Sequence, residues 1–266
     1  MHGERGHFSY AVRGPVATIA FDRDERVNEV AFEVYRDVAR LAAELAQTVG
    51  DVRVLVLRGR GGGFCSGGEV ELVLGRLAAA DHRDAYELAT VTGDCVRALR
   101  GLPLPVVAAV NGVAAGPGAV LALAADIRVL AESASFQFLF TRAGIAGADT
   151  GICWLLPWMI GLGRASELLM LGERIDSERA LEFGIANRVV PDGDLDSAVD
   201  GYVERLLTAE PGALATTKDL IGRSSDTFGA ARLGRWADSL LMSRSEFRDY
   251  SAGFRGHRRP AARSKT

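Results

Sequence analysis

The stretch Pro105-Val-Val-Ala-Ala-Val-Asn-Gly-Val-Ala-Ala-Gly-Pro-Gly-Ala-Val-Leu-Ala-Leu-Ala-Ala-Asp126 decides how the rest of the chain is read. It opens as a short apolar run of buried-strand type and breaks at Asn111-Gly112. After Gly116-Pro117-Gly118 it resumes as an Ala/Leu-rich segment too long and too poor in β-branched residues to be another strand. Strand, turn and buried helix are expected in that order. The first turn of such a helix has unpaired backbone N–H groups at the positive end of the helix dipole, and a glycine loop lets a carbonyl oxygen or oxyanion approach them. The competing reading is a tight strand-to-helix turn packed against a neighbour.

Outward from this stretch, Phe8 to Phe21 alternates as two strands turning at Gly14-Pro15, and Val34, Val38, Leu41, Ala42 and Leu45 repeat at helical spacing within 31–48. Val52 to Leu57 is a strand with a nearly continuous apolar face, the kind buried in a layered α/β core. Strand, helix, strand begins a right-handed crossover unit. A second glycine cluster, Arg58 to Glu69 with Phe64 as anchor, follows directly; with no Lys-Ser/Thr after it, a Walker phosphate loop is excluded. Further along come a helical stretch at 71–99, strands at Ile127–Leu130 and Ser133–Phe140, a glycine loop at Thr141–Gly151 containing Asp149, and helices at Ile152–Ile160 and Ala165–Leu171. A helix start at Ser177, a strand at Ala186–Val190 and a helical remainder from Asp194 complete the order. The simplest division is a core at 1–195 and a helical C-terminal region at 196–266.

With 266 residues and 48% hydrophobic content the chain can bury a large core. A formal charge of −3, from 31 basic and 34 acidic residues, argues against nucleic acid as a main partner. Only the tail from Arg255 to Lys265 is locally basic, and a solvated terminus is its plain reading. Cys65, Cys95 and Cys153 show neither a disulfide framework nor zinc spacing, so no metal is expected and a reducing cytoplasm fits. Neither a signal peptide nor a membrane span is visible.

The two facing glycine loops, with Phe64-Cys-Ser-Gly-Gly-Glu69, Ala109-Val-Asn-Gly-Val-Ala-Ala-Gly-Pro-Gly118, Ala124-Ala-Asp126 with Ala134-Ser-Phe136, the Gly161 to Arg174 block and Phe183-Gly-Ile-Ala-Asn187 to Val190-Pro191, resemble the crotonase superfamily, the enoyl-CoA hydratase/isomerase family. The resemblance runs from about residue 8 to 260. It implies an α/β crotonase-like spiral of repeated ββα units with a helical C-terminal extension, assembled as homotrimers or dimers of trimers, with the C-terminal region serving oligomerisation and pocket closure. It also implies an acyl-CoA or acyl-carrier thioester substrate, coenzyme A being part of that substrate rather than a tightly bound cofactor, with the thioester oxygen held between two backbone N–H groups.

Mapped residue by residue, the first oxyanion donor falls on Ser66 and the second on Pro117, which has no N–H. Losing one donor costs roughly 3 to 4 kcal/mol in the transition state. Two outcomes stay open: a hole shifted to Gly118, with Pro117 merely starting the helix, or a hole with one donor. The two glutamates of hydratases fall on Val120 and Phe140, so two-carboxylate hydration is not expected. Asp149 aligns with an aspartate that isomerases of the family use as acid or base and its aroyl-CoA dehalogenases as nucleophile; it is equally a good N-cap for the helix after it. Glu69 stands where the family usually has aspartate. Cys65 beside the mapped donor, with no accompanying histidine motif, fits a small buried apolar role. Arg26, Gly67, Gly68, His257 and Arg258 are candidates for CoA contact. Val120, Phe138, Phe140 and Trp154, with Trp158, are candidates for an apolar or aromatic acyl pocket. The expected function is proton transfer or isomerisation on an acyl thioester; the alternative is a crotonase-fold protein acting on a substrate without CoA or serving as a binding or assembly subunit.

Overall fold

The structure, a computed structural model, describes residues 2–4, 8–22, 27–47, 51–68 and 82–222. Strand β1 (His2–Glu4) pairs with β2 (Phe8–Arg13), which turns at Gly14-Pro15 into the antiparallel β3 (Val16–Phe21). Helix α1 (Phe32–Gln47) then buries the predicted stripe Val34, Val38, Leu41, Ala42 and Leu45, to which the structure adds Phe32 and Tyr35. From there the chain repeats one pattern. A longer strand enters the first sheet and a three-residue strand enters a second: β4 (Val54–Gly59) then β5 (Gly63–Cys65), β6 (Val106–Val110) then β7 (Val113–Ala115), β8 (Ile127–Ala131) then β9 (Ser135–Gln137). Helix α2 (His82–Gly101) precedes β6, and α3 (Pro117–Ala124) follows β7. These are the ββα units the resemblance implies.

The first sheet has seven strands in the order β1-β2-β3-β4-β6-β8 and, at its far edge, β11 (Arg188–Val190); β3 through β11 run parallel. The second has four strands, with β10 (Arg174–Asp176) antiparallel to β9, which pairs with β7, which pairs with β5. Helices α4 (Ile152–Ile160), α5 (Leu162–Leu171), α6 (Ser177–Phe183), α7 (Leu195–Thr208) and α8 (Pro211–Gly222) complete the described elements.

The central strands β4, β6 and β8 are covered on both faces, which is why they read as nearly continuous apolar runs. Leu55, Leu57, Ala108, Val110 and Leu130 point into a core with α1, α2 and α3. Val54, Val56, Val107, Ala109, Val129 and Ala131 point the other way, onto Leu195, Ala198, Val199 and Val203 of α7. Polar groups fasten the strand ends. Val106 N–H donates to Asp126 Oδ2 at 2.8 Å, and the buried Arg128 donates to the carbonyls of Ile185 and Ala125, both at 2.5 Å. Asn187 Oδ1 accepts from Arg128 N–H at 2.8 Å. Burial pushes the Arg128 guanidinium down to about 10, partly opposed by Asp126.

Compact units run Met1–Thr208 and Ala209–Thr266. Helix α7 therefore goes with the sheet it covers, whereas the sequence division after residue 195 puts it in the C-terminal region. The expected strand at Ser133–Phe140 shortens to Ser135–Gln137 and runs on into a 3₁₀ turn at Thr141–Ala143. Helix α6 is capped by Asp176, whose Oδ1 accepts from Arg179 N–H at 2.8 Å, while Ser177 Oγ donates to the Glu132 carbonyl.

Candidate active site

A cavity of about 330 Å³ opens between α1, α2, the start of α3 and the loop between β9 and α4. Its wall is largely apolar, with Val30, Phe32, Pro117, Phe140, Ile145 and Ala146 prominent, and Asp149 is the one carboxylate among its described lining residues. Tyr35 and Thr92 add hydroxyls. The Tyr35 hydroxyl is buried with no hydrogen-bond partner among the described residues. Burial holds it well above the ordinary phenol range, with smaller upward contributions from Cys65, Cys95 and Asp149.

Asp149 sits in a 3₁₀ turn, Ala148–Thr150, bracketed by Gly147 at φ 64° and Gly151 at φ 78°. Both glycines take the left-handed conformation that a side chain disfavours, and together they fold the loop back over α2. Asp149 Oδ2 lies 2.6 Å from Thr92 Oγ1, on that helix. The N-cap reading of Asp149 does not describe what is found: Gly151 caps α4 without a side-chain hydrogen bond, and the nearest local help is Thr150 Oγ1, 3.4 Å from Ile152 N.

Gly68 and Pro117 also line the cavity. Pro117 takes the first position of α3, after Gly116 at φ 46°. Its missing N–H is one that a helix leaves unpaired in any case, and the N–H groups of Gly118 and Ala119 follow in the same turn. Gly118 lies hard against the loop carrying Ser66: a β-carbon built on it would be 2.2 Å from the Cys65 carbonyl oxygen. The Ser66 N–H donates to the Val27 carbonyl at 2.9 Å, and Val30 N–H to the Gly67 carbonyl at 2.8 Å, so the 27–30 segment runs as a strap along the loop. Val27 holds φ 48°, a strained value for a β-branched residue, and Asn28 holds φ 60°. Asn28 anchors the strap by donating to the carbonyls of Arg60 and Gly63, both at 2.8 Å.

The other predicted residues separate. Phe140 lines the cavity; Val120 and Phe138 are fully in the core and do not. Trp154 is 43% exposed, stacks on Trp158 at 5.5 Å between ring centroids and lies under Arg100, away from the cavity wall. Of the CoA candidates, Gly68 lines the cavity and Gly67 adjoins it in sequence; Arg26, His257 and Arg258, like Glu69, lie outside the described residues. Burial raises the Cys65 thiol to about 12, which keeps it protonated and poorly nucleophilic. Thr92 and Tyr35 were not foreseen. A tyrosine within the buried stripe of α1 was the one available signal.

A larger cavity, of about 850 Å³, lies at Arg13, Arg58, Arg60, Asn111 and Asp196. Three of its charges are already in ion pairs, Arg58 with Asp196 at 3.0 Å and Arg60 with Asp22 at 2.5 Å. Among the described residues no three His, Cys, Asp or Glu side chains gather as a metal site, and no helix is long and apolar enough to cross a membrane.

The family model for enoyl-CoA hydratase/isomerase matches residues 12–239. A probable enoyl-CoA hydratase of Rhodobacter capsulatus is 36% identical over 213 residues, covering 79% of this chain and 78% of that protein. The 1,2-epoxyphenylacetyl-CoA isomerase of Escherichia coli K12 is 35% identical over 251 residues, 92% of this chain and 94% of that one. Among solved structures, a Streptomyces coelicolor A3(2) protein described as an enoyl-CoA hydratase superposes with a TM-score of 0.90 at 40% identity, covering 97% of this chain and 94% of that one. With its ββα repeats, its two apposed glycine loops and these relatives along nearly its whole length, the chain belongs to the enoyl-CoA hydratase/isomerase family of the crotonase superfamily.

Proposed function

We propose that this protein moves a proton on the acyl group of an acyl-CoA or carrier-bound thioester, isomerising it through an enolate, and that it is not an efficient hydratase. The reading rests on one observation: among the described residues, Asp149 is the single carboxylate lining a largely apolar cavity. Hydration by the family's two-carboxylate route needs a second acid, and the mapped positions hold Val120, buried in α3, and Phe140. One carboxylate is enough to take a proton from one acyl carbon and return it to another.

The developing enolate oxygen is placed at the N-terminus of α3, where Gly118 N–H replaces the donor that Pro117 lacks. Its second donor, Ser66 N–H, is bonded to Val27 in this structure, so an incoming thioester oxygen must displace that carbonyl. The same bond is what favours a second reading, a family member without thioester chemistry that binds another kind of substrate or a partner. Calorimetry with free CoA and with a short enoyl-CoA separates the two.

The direct test uses 3-hexenoyl-CoA, followed by its conversion to the 2-enoyl isomer and by deuterium uptake from D₂O. Asp149→Asn keeps size and removes the ionisable group, so isomerisation and exchange should fall by at least about 100-fold with little change in melting temperature. Hydration of crotonyl-CoA should stay weak in both proteins. An Asn variant with full turnover removes Asp149 from the mechanism.

A further inference from the structure

The turn that carries Asp149 is seated on two consecutive residues of α2. Thr92, only 6% exposed, places Oγ1 2.6 Å from Asp149 Oδ2 and 2.8 Å from the Ala89 carbonyl three residues back on its own helix. Gly93, next along, is where the loop backbone touches down: a β-carbon there would lie 2.8 Å from the Asp149 carbonyl oxygen. Any larger residue at 93 pushes the turn off the helix. The other carboxylate oxygen, Asp149 Oδ1, has no hydrogen-bond partner among the described residues.

A hydroxyl has one proton and here has two acceptors within reach. An ionised carboxylate is the stronger acceptor, so that proton goes to Asp149 Oδ2 whenever Asp149 is charged. When Asp149 is neutral the preference is lost and Ala89 O competes on equal terms. A threonine that only satisfies itself on its helix needs the carbonyl of Ala89 and nothing more. The approach of a side chain 57 residues away is what such a role leaves unexplained.

We propose that Thr92 is the positioning residue for Asp149: by holding Oδ2 it leaves Oδ1 as the atom that exchanges a proton with the bound acyl group. This rests on the isomerase reading given above. In the forward step the C–H proton passes to Oδ1 and its electron pair goes into the thioester enolate, and the Thr92 proton is released from Oδ2 towards Ala89 O. In the return step Oδ1 gives its proton to the second carbon, the enolate electron pair forms the new C–H bond, and the Thr92 proton swings back to the recharged carboxylate. Thr92 neither gains nor loses a proton over the cycle.

The experiment compares Thr92→Val, which keeps the shape and removes the hydroxyl, with Thr92→Ser, which restores a hydroxyl, both alone and in the Asp149→Asn background, with 3-hexenoyl-CoA as probe. Thr92→Val is expected to lower kcat roughly 10- to 100-fold, the range for a misplaced catalytic group, with KM within about threefold and an unchanged melting curve. Thr92→Ser should recover most of kcat, and Thr92→Val should cost nothing further once Asp149 is Asn. Full kcat in Thr92→Val, a loss confined to KM or to melting temperature, or an equal further loss in the Asn background overturns the role of Thr92. If Asp149→Asn collapses activity while Thr92→Val is silent, only Thr92 is wrong. If Asp149→Asn is itself silent, or the unmodified protein neither isomerises nor exchanges, the isomerase reading falls and Thr92 with it.

Discussion

Replacing Gly118 with alanine tests the contact on which the candidate oxyanion corner is built. Helix propensity alone favours the change by up to about 1 kcal/mol, since Gly118 lies in the first turn of α3 and alanine is the best helix former. The packing says the opposite. The added methyl would sit 2.2 Å from the Cys65 carbonyl oxygen, 2.7 Å from its β-carbon and 2.8 Å from its sulfur. Carbon contacts settle at roughly 3.5 Å or more, so the first of these distances must open by about 1 Å. Both partners are backbone, in a strand of the second sheet and in a helix buried from Gly118 to Ala124, so neither yields cheaply. Overpacking of this kind costs about 1 to 3 kcal/mol, and a net loss of about 1 to 2 kcal/mol is expected after the propensity gain, since the clash is with backbone. In urea unfolding that lowers the midpoint by about 0.5 to 1 M, and the displaced corner should cost on the order of 100-fold in turnover. Cys65→Ala removes the sulfur but not the carbonyl oxygen, so it should not rescue the variant. A Gly118→Ala protein as stable as the parent would refute the packing account of the glycine and with it the close apposition of α3 to the Ser66 loop.

Stability should fall on the alkaline side. Burial raises the thiols of Cys65 and Cys95 to about 12 in the fold, whereas an unfolded thiol ionises near 9, so above pH 9 the unfolded chain loses protons that the native one keeps. The slope is at most about 1.4 kcal/mol per pH unit for each thiol and is read best between pH 9 and 10, below the range where Arg128, shifted downward, begins to act with the opposite sign. Cys95→Ala should roughly halve the slope; an unaltered slope means that the thiol is not the source. Assembly as a trimer or dimer of trimers is expected by light scattering, since Leu162, Met170 and Leu171 stand 76%, 71% and 52% exposed on α5, while Leu240, Leu241 and Met242, the C-terminal residues that also motivate it, lie outside the described residues. A monomer at micromolar concentration overturns this.

The larger elements were legible because each has a local cause. The apolar period of α1, the punctuation at Gly14-Pro15 and the helix-starting Gly116-Pro117 all act within a few residues, and the structure has an element at each. Strands β5, β7 and β10 were not, because three residues carry no period and their pairing is set by the second sheet, not by themselves. For the acyl pocket, apolar character was visible but direction was not. Trp154 and Trp158 stand four residues apart on one side of α4, while Ile152, Leu155, Leu156 and Ile160 take the buried side, so the two largest side chains of that helix are the ones left outside. The Thr92–Asp149 pair joins residues whose separation in sequence carries no pattern, and only the fold brings them together.

Because the central strands are buried on both sides, their hydrophobic pattern cannot tell one alignment of the sheet from the next. In a half-exposed strand a slip of one residue turns polar groups inward and is penalised at once. In β4, β6 and β8 it merely exchanges Leu55 for Val56, Val107 for Ala108 or Val129 for Leu130. What a slip of β8 against β6 does forfeit is the Asp126 carboxylate on Val106 N–H, and a slip against the segment leading into β11 takes the Arg128 guanidinium off the Ile185 carbonyl. Correct threading of this sheet is thus enforced by two ionised side chains beside a field of interchangeable aliphatics, and neutralising either should show first as misfolded chains, before any loss of activity in the molecules that fold.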